Sequence, residues 1–227
     1  MKLLNKPWRL SNIQRIALKS LVHLLSLGYL SIIFYLGIID DLGPDPVQAL
    51  LDKTGNWAIY ILVVTLLLSP IAKVLPSPEP LKFRRLLGVY SFVFALAHFL
   101  VYCAFEIQLD MSLIGSEIID RPYITVGMTA LVLLLALAVT SFNKAKRILG
   151  RRWQKLHNTV YLILPLTVLH YTWAQKSGVL SPAIYWMIVI AIFYVKRDTL
   201  ATIIIGKTTA TSGRKKAKQS AHNGKTC

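Results

Sequence analysis

The sequence predicts an all-α membrane protein, a bundle of six transmembrane helices. Three observations carry that reading. Hydrophobic residues make up 55% of the 227-residue chain and charged residues only 16%, and mean hydropathy is positive. The apolar residues come in runs of about twenty, enough to cross a hydrocarbon core of about 30 Å, rather than in the stripe of a soluble amphipathic helix. The connections between runs alternate in charge, as they do when successive helices cross a membrane and the basic loops stay on one side.

Taken in order, the first run lies near Ile16–Ile38. It follows the basic segment MKLLNKPWRLSNIQR and has no small-residue cleavage site after it, so it reads as an uncleaved first span. Further runs lie near Trp57–Leu75, Leu86–Phe105, Tyr123–Phe142, Leu156–Trp173 and Pro182–Ile205. Pro44 and Pro46 punctuate the first connection, and Pro76, Pro78 and Pro80 the second. No internal repeat is evident along the chain.

Charge sets the orientation. Lys2, Lys6, Arg9 and Arg15 precede the first run; Lys73, Lys82, Arg84 and Arg85 flank the second connection; Lys144, Lys146, Arg147, Arg151, Arg152 and Lys155 fill the fourth. With eight more at the C-terminal end, 22 of the 26 lysines and arginines fall on one side. The remaining connections hold only Lys53, Arg121 and Lys176, and there Asp40, Asp41, Asp45, Asp52, Glu106, Asp110, Glu117 and Asp120 collect. Both termini are therefore expected in the cytoplasm. This partition accounts for the net charge of +16 without nucleic acid as a partner. Residues 1–205 form the membrane domain, and 206–227, containing GRKKAKQSAHNGK, read as a disordered basic tail that anchors to anionic membrane lipid.

Soluble catalytic chemistry is not indicated. The chain has no GxGxxG turn, no GxxxxGK[ST] loop and no HExxH, and its two cysteines, Cys103 and Cys227, offer neither a disulfide framework nor a CxxC pair.

The histidines are the exception to the apolar pattern, and ionisable side chains inside a bilayer are costly enough to point to function. Counted from the acidic end at about 1.5 Å per residue, His98 lies roughly 12 Å deep on the third run and His170 roughly 9 Å deep on the fifth. Two imidazoles at matching depth on separate helices suit axial ligation of an iron in a planar macrocycle; hydrogen-bonded packing is the alternative. His157 lies 7–8 Å from the basic end by the same ruler, about 140° around an ideal helix from His170, with Pro165 between them as a candidate kink. It has no histidine partner. Fourteen residues before His98, on nearly the same helical seam, stands Arg84. A guanidinium is a poor iron ligand and a good partner for haem propionates. His157 is thus read either as a ligand of an inner haem or as a structural or propionate-bonding residue. His23, midway along the first run, reads as a packing histidine, and His222 lies in the tail.

Three stretches, RRLLGVYSFVFALAHFLVY, SEIIDRPYITVGM and GRRWQKLHNTVYLILPLTVLHYTWA, resemble the MsrQ (also YedZ) family of the ferric-reductase-like transmembrane superfamily. The resemblance runs over essentially all of residues 10–200, and GRRWxxLHxxxY with a second histidine 13 residues on is its specific mark. It implies a six-helix b-type cytochrome of the bacterial inner membrane. Such a subunit carries electrons to a periplasmic molybdopterin subunit, MsrP, which reduces methionine sulfoxide in oxidised proteins. The resemblance further implies an association with FMN, and electrons from the quinone pool or a cytoplasmic flavin reductase. In the superfamily two haems are held by two histidine pairs; here His98, His157 and His170 match, and Arg84 occupies the fourth place, so one haem b or two are implied. On this reading the chain is an electron-transfer subunit rather than an enzyme in its own right. The alternatives are another ferric-reductase-like electron carrier, self-contained quinone oxidation included, or a histidine proton relay or channel without haem.

Overall fold

The computed structural model describes residues 9–75, 77–110, 112–175 and 180–204. Among them there is no strand, and the order of elements is α1 (Asn12–Ile38), α2 (Pro46–Val74), α3 (Arg84–Val101), α4 (Ser112–Asp120), α5 (Pro122–Val139), α6 (Asn143–Leu149), α7 (Arg151–His157), α8 (Val160–Ala174) and α9 (Leu180–Ile204).

Local chemistry explains where the helices begin. At α1 the Ser11 hydroxyl accepts from the Gln14 N–H at 3.2 Å and the Gln14 side chain accepts from the Ser11 N–H at 3.0 Å, a closed capping box. At α2 the Asp45 carboxylate accepts from Gln48 N–H at 2.9 Å and Pro46 supplies a preset φ at the first position. That cap starts α2 well ahead of the expected Trp57, because hydropathy marks only the apolar part of a helix whose first turns carry Asp52 and Lys53. Beyond Val101, α3 widens into a single π-helical turn, Tyr102–Glu106.

The fifth expected span departs furthest from expectation. Gly150, at φ +50°, a conformation costly for residues with a Cβ, turns the chain between α6 and α7. A second break falls at Asn158 and Thr159, where the Thr159 hydroxyl donates to Leu156 O at 2.7 Å. The interruption therefore lies beside His157. Pro165, the expected kink, sits inside an unbroken α8. Among the described residues five helices are long and apolar enough to cross a membrane: α1, α2, α3 with its π-turn, α5, and α9 through Arg197. With 15 residues, α8 is about 22 Å long and falls short of that length on its own.

The chain divides into two compact units, Met1–Met187 and Ile188–Cys227. Among described residues the second holds the later part of α9; the expected tail, 206–227, with His222 and Cys227, lies outside the described residues. In the first unit α2 packs along α3 and α5 along α8, and the two pairs meet through α3 with α5 and α2 with α8. Phe94, Leu62 and Leu66 fill the first pair, and Ile163, Leu164 and Val168 are fully enclosed on α8. Against this core α1 lays Val22 and Tyr29, with Tyr29 tilted on Trp57 at 4.7 Å, while Ile13, Leu24, Leu25 and Ile38 stay exposed, as suits a lipid-facing helix. At the basic end α1 is fastened by charge. The enclosed Glu79 carboxylate meets Lys82 Nζ at 2.7 Å and Arg15 Nε at 3.3 Å.

Candidate functional site

The rings of His98 on α3 and His170 on α8 stand 6.1 Å apart, centroid to centroid, with planes crossed at 84°. Each is held through the same atom. His98 Nδ1 donates to Leu51 O on α2 at 3.0 Å, and His170 Nδ1 donates to Tyr123 O on α5 at 2.7 Å. A backbone carbonyl only accepts, so each Nδ1 carries the proton and each Nε2 keeps its lone pair. A second-shell bond of this kind is what fixes the tautomer of a metal-binding imidazole. With metal–imidazole bonds of about 2 Å, two rings sharing one ion have centroids roughly 6 Å apart. Among the described residues no group of three or more His, Cys, Asp or Glu gathers that would hold a metal. A metal gripped by this pair would need its other ligands from a bound group, as in a haem.

The histidines line a cavity of about 600 Å³ between α2, α3, α5 and α8. Its walls are apolar and small, among them Ala58, Leu62, Ala95, Ala130 and Leu134, and its polar lining includes Asp45, Asp52, Glu106 and Arg121. There Tyr102 donates to Glu117 at 2.8 Å, Glu117 pairs with Arg121 at 3.0 Å, and Arg121 reaches the Tyr123 hydroxyl at 3.3 Å, tying α3, α4 and α5 together.

Two glycines that the sequence reading passed over touch the rings. A Cβ on Gly55 would lie 3.1 Å from His98 Nδ1, and one on Gly127 would lie 2.7 Å from His170 Nδ1. Leu51 and Tyr123, Gly55 and Gly127, and His98 and His170 are each 72 residues apart. The same step carries Ala58 to Ala130, Leu62 to Leu134 and Ser69 to Ser141. The correspondence is confined to these few positions, which the two helix pairs share at one spacing.

His157 is not brought to the other two. It stacks on Trp153 at 4.0 Å, and its Nε2 lies 3.1 Å from the Thr140 hydroxyl. That hydroxyl has one proton, spent on Ala136 O at 2.6 Å, so at His157 it accepts from Nε2–H. Arg84 lies within electrostatic range of the imidazole and lines a separate cavity of about 470 Å³ with Ser69, Lys73 and Ser77. Its neighbour Arg85 instead donates to Ser141 O and Asn143 Oδ1 at 3.2 and 2.9 Å. His23 meets the buried Tyr90 hydroxyl at 2.5 Å.

Comparison with known proteins gives the family. The family described as the ferric reductase like transmembrane component matches residues 54–168, which include both members of the histidine pair's helices up to Val168. The haem-binding subunit MsrQ of the protein-methionine-sulfoxide reductase of Klebsiella pneumoniae subsp. pneumoniae is 42% identical over 173 residues, covering 76% of this chain and 86% of its own. The chain belongs to the MsrQ family. MsrQ proteins of Cronobacter sakazakii and Salmonella arizonae are 40% and 41% identical, covering 74% and 78% of this chain and 84% and 89% of theirs. No solved structure matches. Membership in MsrQ agrees with an integral membrane protein rich in apolar helices.

Proposed function

We propose that this chain is the haem b-carrying inner-membrane subunit of a protein-methionine-sulfoxide reductase system. It passes electrons from the quinone pool or a cytoplasmic flavin reductase to a periplasmic molybdopterin subunit, MsrP, where methionine sulfoxide is reduced. The observation that carries the reading is the pair of imidazoles 6.1 Å apart, each with Nδ1 spent on a backbone carbonyl and Nε2 left as a donor. Bound there, haem supplies a one-electron Fe(III)/Fe(II) couple. His98 and His170 would hold the haem, and the Leu51 and Tyr123 carbonyls, accepting from each Nδ1–H, keep both Nε2 lone pairs free and aimed. Ala58, Ala95, Gly55 and Gly127 leave room beside the rings for a flat group, with the polar lining gathered from Asp45, Asp52, Glu106 and Arg121. A proton relay needs rings that exchange protons at both nitrogens; rings pinned through Nδ1 suit ligation better.

In the same proposal the segment 143–174 completes a sixth crossing, both termini face the cytoplasm, and the basic tail rests on anionic lipid. At the basic end a second haem would be held by His157, with Arg84 supplying positive charge for its acidic groups. FMN enters through the family resemblance alone.

The test is spectroscopic. Purified protein should show the Soret and α bands of six-coordinate b-type haem after dithionite reduction, and His98→Ala or His170→Ala should remove that haem. A colourless preparation from haem-replete cells would overturn the proposal in favour of the relay.

A further inference from the structure

We propose that Gly55 and Gly127 are positioning residues, two copies of one device that aims the facing imidazole. The inference rests on the reading of His98 and His170 as an axial pair, and concerns what points them at a common target.

The physical reason lies in helix geometry. A Cα–Cβ bond tilts toward the helix N-terminus, so a side chain covers the turn before its own Cα. Gly55 follows Leu51 by four residues and Gly127 follows Tyr123 by four, so in each case the missing side chain is the one that would shade the accepting carbonyl. With glycine there, the carbonyl already closing the helical i to i+4 bond keeps a second lone pair open to the neighbouring helix. His98 and His170 use that opening, at 3.0 and 2.7 Å. The acceptor lies 47 residues before the histidine in both cases, on α2 for α3 and on α5 for α8. Coincidence of acceptor, gap, glycine and ring nitrogen in both helix pairs marks one device used twice. Packing alone would not require the same atom to be bonded twice.

The two copies are not equally tight, and this grades the expectation. An added methyl at Gly127 would sit 2.7 Å from Nδ1 and 2.8 Å from Cε1 of His170, a contact that a pinned ring cannot absorb without leaving the Tyr123 carbonyl. At Gly55 the corresponding distances are 3.1 and 3.3 Å, so a shift of a few tenths of an ångström suffices. Gly88, where a methyl would meet only Thr65 Cγ2 at 3.9 Å, and Gly28, where it would meet nothing within 4 Å, serve as controls in the same helical setting.

Losing the carbonyl bond makes the imidazole a poorer donor to ferric iron, and loss of such an outer partner weakens binding by about 10- to 100-fold. The experiment compares Gly127→Ala, Gly55→Ala, Gly88→Ala and Gly28→Ala in full-length protein by haem titration, redox midpoint and low-temperature EPR of the ferric state. Wild type, with ring planes crossed at 84°, should give a highly anisotropic low-spin signal, because crossed rings leave the iron's two π-type d orbitals nearly degenerate. Gly127→Ala should bind haem about 10- to 100-fold more weakly, with a raised midpoint and an altered signal. Gly55→Ala should move in the same direction by less, and the controls should not move.

A chemical rescue separates loss of the aimed ring from poor folding of Gly127→Ala. His170→Gly with added imidazole should regain a six-coordinate spectrum, and Gly127→Ala combined with His170→Gly should regain it equally, since a free imidazole is not tethered against the methyl. Unmoved midpoint and EPR in both glycine variants, or failure of the double variant where the single one is rescued, would overturn the proposal. Haem persisting in His98→Ala would instead overturn the axial-pair reading beneath it, an outcome distinct from either.

Discussion

The hydrogen bond between His157 and Thr140 makes the second-haem reading quantitative. Free of any ligand, His157 Nε2–H donates to the Thr140 hydroxyl at 3.1 Å. Ligation through Nε2 must break that bond. Thr140→Val keeps the branched shape and removes the acceptor, which leaves a half-buried N–H unpaired and raises the free energy of the unliganded state by about 1–3 kcal/mol. The liganded state has no such bond to lose. Affinity for a second haem should therefore rise by about 5- to 150-fold in the variant. The assay is a stepwise haem titration of apoprotein in detergent, with stoichiometry read as pyridine haemochromogen and the first equivalent taken up by the His98–His170 pair. A second equivalent that binds no tighter in Thr140→Val than in wild type would refute the reasoning. No second equivalent in either protein would refute the inner site altogether.

Three further outcomes follow from the charges and hydrogen bonds. Alkaline phosphatase fused at Cys227 should be inactive and a fusion at Asp41 active, since 22 of the 26 basic residues fall on the non-exported side; activity at Cys227 would reverse the orientation. His23→Ala should leave haem content near wild type and lower thermal stability in detergent by about 1 kcal/mol, the net worth of the Tyr90 bond; haem loss as full as in His98→Ala would reassign the ligands. Glu79 is held below the ordinary carboxylate range, first by its hydrogen bond to Lys82 and also by Arg15. A depressed carboxylate contributes its full stability above the unfolded-state pKa and loses it as pH falls through the folded value, so Glu79→Gln should flatten the acid side of a melting-temperature profile. An acid limb identical to wild type would show that the Arg15–Glu79–Lys82 contact does not hold α1.

How much of this was legible in the sequence depends on what each residue costs in a bilayer. Long apolar runs are hard to place elsewhere, so α1, α3, α5 and α9 were readable, and the matching depths of His98 and His170 followed from a ruler of residue counts. Hydropathy is silent where a helix begins polar, which hid the Asp45 cap and the early turns of α2. It is equally silent about the break at Asn158 and Thr159, which falls inside the expected span Leu156–Trp173, next to His157 rather than at Pro165. Gly55 and Gly127 escaped because glycine acts here through an atom it lacks. Sliding the chain over itself by 72 residues and watching only glycine and histidine would have exposed them.

The pairing of helices also says something about how the protein is put together. Each helical hairpin, α2 with α3 and α5 with α8, holds one imidazole bonded across to its partner helix. Between the two pairs run apolar contacts and several polar ties, Arg85 to Ser141 and Asn143 and Tyr102 through Glu117 to Arg121. Whatever the two imidazoles grip together then joins one hairpin to the other by bonds that lipid cannot imitate. If that is haem, as proposed, the stability of the assembled subunit would depend on the cell's supply of it as well as on the chain.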